Sequence, residues 1–405
     1  MFSPAAAATD AMFRGNPQHT GYFEKGGSVA NHELWRLPTG MEMGGDMCAS
    51  PAVANRTVYF GISDNFNESN NNLRAVEAQT GIVMWQFYTG GTGTSPAVVN
   101  GTVYAMGNRL YAIDAITGLE KWRFPATGFG GGSSPTVLNN TVYFGGGSDN
   151  SLHAVDAVNG KEKWEFTAKG WIESSPAVAN DTVYVGSYDN NLYAVDAVTG
   201  KEKWRFPIEG WVIYSEWTPA LADGTVYIGS NSMEWNQHNN LYAVDAVTGK
   251  EKWKFQTKSA IATSPVVADD TVYIGTFHGQ LYAVDAVTGK EKWQFRTNFI
   301  VDSSPAVANG VLYIGGADDN LYAIDAATGE EMWQFPVKGW ESSPTVVDGV
   351  IYIGNKDHNL YAIGQTPRAQ NITSSFPAST KADFPVIVPI IAILGGLFIL
   401  YRHKT

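Results

Sequence analysis

The 405-residue chain carries 39 acidic against 27 basic side chains, a formal net charge of −12, with 44% hydrophobic and only 16% charged residues. Nucleic-acid-binding domains concentrate basic side chains to neutralise phosphate, so no DNA or RNA partner is expected. A single cysteine, Cys48, rules out an intrachain disulfide, a paired-thiol redox site and a cysteine-based zinc or iron–sulfur centre. The length supplies a large core without such staples.

Residues 1–11 hold a run of small side chains, Ala5 to Ala8. They read either as the remnant of a leader peptide whose charged and apolar parts are absent, or as an uncleaved start. Met12 to Gly21 follow as MFRGNPQHTG, and then a strand candidate, HELWRLPTG, around Trp35.

From there the chain repeats itself. A run Leu-Tyr-Ala-Val-Asp-Ala-x-Thr-Gly-x-Glu-x-Trp returns with its tryptophans at Trp85, Trp122, Trp164, Trp204, Trp253, Trp293 and Trp333. A second marker, Ser/Thr-Pro before a short apolar run, recurs at Pro51, Pro96, Pro135, Pro176, Pro219, Pro265, Pro305 and Pro344. Each period offers four short strands. After Ser174 they are SSPAVA, DTVYVGS, NNLYAVDA and EKWRFP, bounded by Gly, Asn, Asp or Pro. Four short strands per repeat of this length, with no helical stripe, predict an all-β fold, a β-propeller. The first three strands occur in eight copies. The first Trp-bearing fourth strand, around Trp35, precedes any first strand, and the last third strand, at 359–364, has no fourth strand after it. An eight-bladed propeller of four-stranded blades, closed by the strand around Trp35, resolves both mismatches and leaves no open blade edge. The eight tryptophans, Trp35 included, are then packing residues between blades, and the Asp and Thr-Gly after strand three set a turn.

The motif Ala-x-Asp-x-x-Thr-Gly-x-x-x-Trp resembles the tryptophan-docking motif of the pyrroloquinoline-quinone-type propeller repeat, and MFRGNPQHTG resembles the opening of that superfamily. The resemblance spans residues 12–364 and implies the fold more than the function. One branch holds quinoprotein dehydrogenases. There the resemblance implies a quinone on the axis between a Trp and a disulfide of adjacent cysteines, with calcium and an Asp base beside it. One cysteine cannot form that disulfide, and the inserts that carry the calcium ligands have no counterpart here. The other branch, typified by the assembly lipoprotein BamB and joined by archaeal and bacterial surface proteins, is non-enzymatic. The chain resembles this second branch, so no catalytic residue and no cofactor are expected.

Other catalytic signatures are missing: no GxGxxG, GxxxxGK[ST] or HExxH occurs. Glycine pairs and triplets such as Gly130 to Gly132 and Gly145 to Gly147 fit tight turns at strand ends. His238, His278 and His358 fall in hairpins of different blades and suggest no shared metal.

Differences among the copies point to a candidate site. Three residues before the repeat prolines stand Cys48, Gly93, Gly132, Glu173, Glu216, Ala262, Asp302 and Glu341. Blades 4, 5, 7 and 8 thus carry acids at one level of the channel mouth, beside Trp171, Trp211, Tyr214, Trp217 and Trp340. Such a mouth reads as a hydrated opening, as a seat for calcium or another hard cation, or as a docking point for a basic group of a protein partner; a glycan stacked on the aromatic rings is the alternative ligand. The partner-binding residues expected are Glu173, Glu216, Asp302, Glu341, Trp171, Trp211, Trp217 and Trp340. Two long Asn-rich hairpins, at 63–72 in blade 1 and 230–240 in blade 5, frame the same face. Loop inserts cost a repeat fold little, so they read equally as neutral decoration.

The end of the chain changes character. Residues 366–383 form a Ser/Thr/Pro-containing polar linker. Residues 384–401, FPVIVPIIAILGGLFILY, are uncharged, and Arg402, His403 and Lys404 follow at once. This pattern predicts one transmembrane helix with residues 402–405 as a cytoplasmic tail and the propeller (residues 12–365) outside the cell membrane. Glycosylation sequons at Asn55, Asn67, Asn100, Asn139, Asn180 and Asn371 accord with that placement.

Overall fold

The structure, a computed structural model, describes residues 11, 13–23, 31–39, 49–62, 73–90, 94–125, 133–210, 218–231, 239–301, 303–338, 342–355 and 357–365. The chain divides into two units, Met1–Thr366 and Pro367–Thr405. The expected linker at 366–383, the apolar span at 384–401 and the basic tail lie outside the described residues. Among those described, no helix is long and apolar enough to cross a membrane.

The first unit contains eight antiparallel sheets of four strands, seven of them ordered as in the chain, with a fifth short strand added to one of these. Blade 4 shows the pattern with Ala177–Ala179, Thr182–Ser187, Asn191–Asp196 and Glu202–Pro207. Its second strand is buried throughout, because neighbouring blades cover both faces of each sheet. Its fourth strand alternates exposed and half-buried residues, as an outer edge must. Eight apolar clusters follow, one at each interface between blades.

The ring closes as the strand count requires. His32–Pro38 pairs antiparallel with Asn359–Gly364, with His32 opposite Gly364 and Pro38 opposite Asn359. The strand from the start of the chain therefore becomes the outer strand of blade 8.

The repeat motif is a joint between blades. Trp204 Nε1 donates to the Ala246 carbonyl of the next blade at 3.1 Å, and Tyr184 Oη donates to the same oxygen at 3.0 Å. The same pair of donors meets at Ala115, Ala157, Ala197, Ala286 and Ala326. Trp35 and Tyr352 of blade 8 meet at Ala78 of blade 1, which completes the circle. The Thr-Gly of the motif has a steric reason. Gly249 has φ +68°, and a Cβ there would sit 2.7 Å from the Trp204 ring. The Asp holds the turn: Asp245 Oδ1 accepts from the amides of Val247 and Thr248 and from the Thr248 hydroxyl. The serine before each repeat proline is a second joint. The amides of Ser50, Ser95 and Ser134 donate to the hydroxyls of Ser95, Ser134 and Ser175 in turn, and Thr218, Ser264 and Ser304 continue to Ser264, Ser304 and Ser343.

Residue 11 and residues 13–23 do more than precede the first strand. They run inside the ring, against the innermost strands. The carbonyls of Ala11, Pro17, Gln18, Thr20 and Gly21 accept the amides of Val98, Val178, Leu221, Val267 and Val307, the middle residue of the first strand in blades 2, 4, 5, 6 and 7. Tyr22–Phe23 then pairs parallel with Ala306–Ala308 of blade 7. A first strand has one edge on its own sheet and one on the channel, so the segment satisfies channel-edge amides that the blades leave unpaired.

Candidate functional site

The loop leading into blade 4 presents aromatic and acidic side chains together. Ile172 is fully buried and bridges to Gly147 in blade 3, which pins the loop. Alternation along the loop then leaves Trp171 exposed and Glu173 half-buried. The Trp171 carbonyl accepts the Tyr188 amide at 2.9 Å, and the two rings stack with centroids 5.9 Å apart and planes inclined by 24°. Trp171 is 44% exposed, so much of this large ring remains open to solvent. Tyr188 Oη donates to the Glu173 carboxylate, which orients both groups. The Lys169 amide donates to Asp189 Oδ2 at 3.0 Å. Asn150, Lys169, Gly170, Trp171 and Tyr188 line a cavity of about 370 Å³ beside the stack.

The equivalent loop of blade 6 makes the same backbone contact. The Ala260 carbonyl accepts the Phe277 amide as that of Trp171 accepts Tyr188, although Ile261 bridges to Thr276 of its own blade where Ile172 bridges to Gly147 of the preceding one. Ala260 and Ala262 thus occupy the positions of Trp171 and Glu173. The contact is shared between the two blades, and the aromatic and acidic side chains are additions to it. Of the residues expected at the channel mouth, Trp171 and Glu173 are brought together in this way. Glu216, Asp302, Glu341, Trp211, Tyr214, Trp217 and Trp340 lie outside the described residues, as do most of the long hairpins of blades 1 and 5.

Blade 3 carries a second cluster that the sequence reading passed over. In blade 4, Tyr193 donates to Asp189 at 2.6 Å, and Arg205 lies 5.5 Å from the Tyr193 ring while bonding Glu202 at 2.8 Å. Blade 3 places His153 at the tyrosine position and Glu165 at the arginine position. His153 Nδ1 meets Glu162 at 2.9 Å and Nε2 meets Asp149 at 3.1 Å, so both ring nitrogens face carboxylates. Burial opposes charge on this imidazole, but the hydrogen bonds and charges of Asp149 and Glu162 prevail and its pKa is raised. Donor atoms of His153, Glu162 and Glu165 lie within 4.8 Å of one another, a spacing a metal ion could use. A metal would have to displace one of the two carboxylate contacts on His153, which already form a complete ion pair. Register comparison of the repeats would have exposed the cluster, since His and Glu replace Tyr and Arg in step.

The axial quinone and calcium of a dehydrogenase have no matching donor set among the described residues. The metal-spaced group just described comes from strands three and four, on the outer part of blade 3. Inside the ring, residues 11–23 occupy the inner edges of five blades. The single cysteine removes the flanking disulfide.

A family model described as outer membrane protein assembly factor BamB matches residues 28–126, 69–170, 107–234, 209–303 and 297–370. Among solved structures, BamB from Moraxella catarrhalis aligns over 83% of this chain and 100% of its own, with 18% identity and a TM-score of 0.61. The computationally designed Ika8 protein aligns over 82% and 99%, with 15% identity and a TM-score of 0.67. Quinohemoprotein alcohol dehydrogenase from Comamonas testosteroni aligns over 87% and 80%, with 17% identity and a TM-score of 0.69. At these identities the likeness is one of fold. No curated protein matches the sequence.

Proposed function

Because the chain belongs to the BamB family of propeller-repeat proteins, we propose that it is a non-catalytic binding propeller that docks a protein partner, held at the outer side of a cell membrane by residues 384–401. The observation that carries the proposal is the Trp171–Tyr188 stack with Glu173 beside it. A large exposed ring held rigid by a neighbour presents apolar area at small entropic cost, and an adjoining carboxylate selects a basic group. The Trp171 carbonyl contact to Tyr188 does not demand either side chain, since blade 6 makes the same carbonyl–amide contact to its own hairpin with Ala260 and Ala262 at these positions. The reading of a non-catalytic chain is supported by the single cysteine, which cannot form the disulfide expected beside the quinone in the dehydrogenase branch.

The test compares partner recovery from membranes by the intact chain and by Trp171→Ala and Glu173→Gln. The proposal expects recovery to fall by about tenfold in Trp171→Ala, and the salt sensitivity of binding to weaken in Glu173→Gln. Equal recovery by all three removes this face from consideration and moves the search to the hairpins at 63–72 and 230–240. Retention of a free oligosaccharide by the intact chain, lost in Trp171→Ala, would replace the protein partner by a glycan. Dye reduction with an alcohol or sugar, after adding quinone and calcium, would make the chain an enzyme. Protease applied to intact cells should release the propeller; its protection there would reverse the proposed topology.

A further inference from the structure

The motif at residues 12–21 places a cation inside the ring. Arg14 sits in the short turn Phe13–Gly15 with φ +58°. Its side chain is 94% buried, being 6% exposed, and Nε, Nη1 and Nη2 all lack a hydrogen-bond acceptor. The carbonyls nearby are already committed. Arg14 accepts from the Gly21 amide and Asn16 from that of His19, while Pro17, Gln18, Thr20 and Gly21 accept from the inner strands of blades 4 to 7. Gly21 packs against the guanidinium, where a Cβ would lie 3.0 Å from Nη2.

Among the described residues, no carboxylate compensates the charge. Burial alone lowers the Arg14 pKa to about 9, so the group remains a cation at neutral pH. Its charged influence falls on another base: burial and then Arg14 push His19 down to about 3. His19 is fully buried, with Nε2 2.9 Å from the Thr136 hydroxyl. That hydroxyl donates its own proton to the Pro176 carbonyl, so Nε2 carries the hydrogen and donates. Among the described residues the guanidinium therefore has no anionic partner. An isolated buried guanidinium is strongly disfavoured unless something pairs with it.

We propose that Arg14 binds a small oxyanion inside the ring, one whose two adjacent oxygens match the guanidinium fork, as in a carboxylate or a phosphate. The turn that carries Arg14 also walls a cavity of about 660 Å³, bounded by Gly15, Asn16 and Pro17, by the hairpins at Asn100 and Asn139, and by Lys121. Lys121 is itself paired with Asp114, so the guanidinium is the charge offered to the anion. The site is independent of the Trp171 face and of any protein partner.

The test is titration calorimetry and thermal melting of the full chain with inorganic phosphate, acetate and chloride at matched ionic strength. Phosphate or acetate should bind and raise Tm as concentration passes Kd, with chloride at least tenfold weaker. Arg14→Lys keeps the charge but loses the fork, so oxyanion affinity should fall at least tenfold. Arg14→Met should lose the anion-dependent rise in Tm. The proposal is overturned if none of the three anions gives a binding signal with the unmodified chain. It is equally overturned if Arg14→Met melts higher than the unmodified chain in every buffer, since the guanidinium would then be an uncompensated charge. Where Arg14→Met does not fold, the Arg14→Lys titration decides.

Discussion

A tryptophan that recurs in every blade does not do equal work in each. Trp204 Nε1 has its acceptor in the next blade, whereas Trp333 Nε1 has none. The difference follows from the closure. Trp333 belongs to blade 7 and faces blade 8, where the chain does not turn from strand three into strand four, because that fourth strand comes from residues 32–38. Trp204→Phe should therefore cost about 1 kcal/mol from the lost hydrogen bond, with packing largely kept, and Trp333→Phe markedly less. Urea unfolding of the two variants measures the contrast. His153 gives a second prediction. Its pKa is raised in the folded state, so its ion pairs stabilise fully below the unfolded value near 6.5, and that contribution is lost as pH rises through the folded pKa. The double variant His153→Tyr, Glu165→Arg copies the Tyr193–Arg205 arrangement of blade 4. It should fold, and its stability relative to the unmodified chain should improve as pH rises from about 6 to about 9.

Among the elements, the inner segment at 11–23 is the least repetitive and the most widely connected. It reaches five blades through its own carbonyls and a sixth, blade 3, through His19. His19 makes this element acid-sensitive. Its folded pKa lies far below the unfolded one, so its contribution is complete above about 6.5 and declines as pH falls toward about 3, where the unfolded chain alone takes the proton. The slope from this one group approaches about 1.4 kcal/mol per pH unit across that window. His19→Gln retains a donor for Thr136 without a titrating ring, so its stability should fall less steeply than that of the unmodified chain between pH 6 and 4. The same slope in both would remove His19 as the source. The outer elements behave differently. Blade 4's Asn191–Asp196 and Glu202–Pro207 repeat in almost the same residues in blades 5 to 7, and what distinguishes blades is loop content: Trp171 and Glu173 in one, Ala260 and Ala262 in another.

For the molecule as a whole, stability depends on a seam made from both ends of the repeat region. His32–Pro38 satisfies the edge of Asn359–Gly364, and Trp35 docks on Ala78 of blade 1. Removing residues 1–40 takes away this strand and the inner segment together. The ring should then melt at a clearly lower temperature, and the amides of Ala362 and Leu360 should lose protection from hydrogen exchange. Removing only residues 1–23 should spare those two amides and expose Val178, Leu221, Val267 and Val307 instead. A ring whose exchange pattern is unchanged by either truncation would contradict the seam and the inner segment alike.

The repeat itself determined the architecture. Strand number, blade number and the offset that demands closure all follow from where Trp, Ser-Pro and Asp-Ala-x-Thr-Gly recur, because each motif residue serves a local turn or an identical neighbour. Gly249 against Trp204 and Asp245 in its turn are the physical content of that regularity. The Trp171–Glu173 face was legible only in composition: both stood out as departures from the repeat, but their partner Tyr188 comes from the turn between the second and third strands of blade 4 and looked ordinary in sequence. His153, Asp149 and Glu162 were silent for a similar reason, being spread over a hairpin whose register had to be known before they could meet. Arg14 and His19 were recognisable as a motif and opaque as chemistry. Their burial depends on six blades converging on one axis, and no local pattern records which carbonyls those blades consume. Local periodicity encodes what each unit shares with its neighbour; the tertiary structure alone decides what lies where all the units meet.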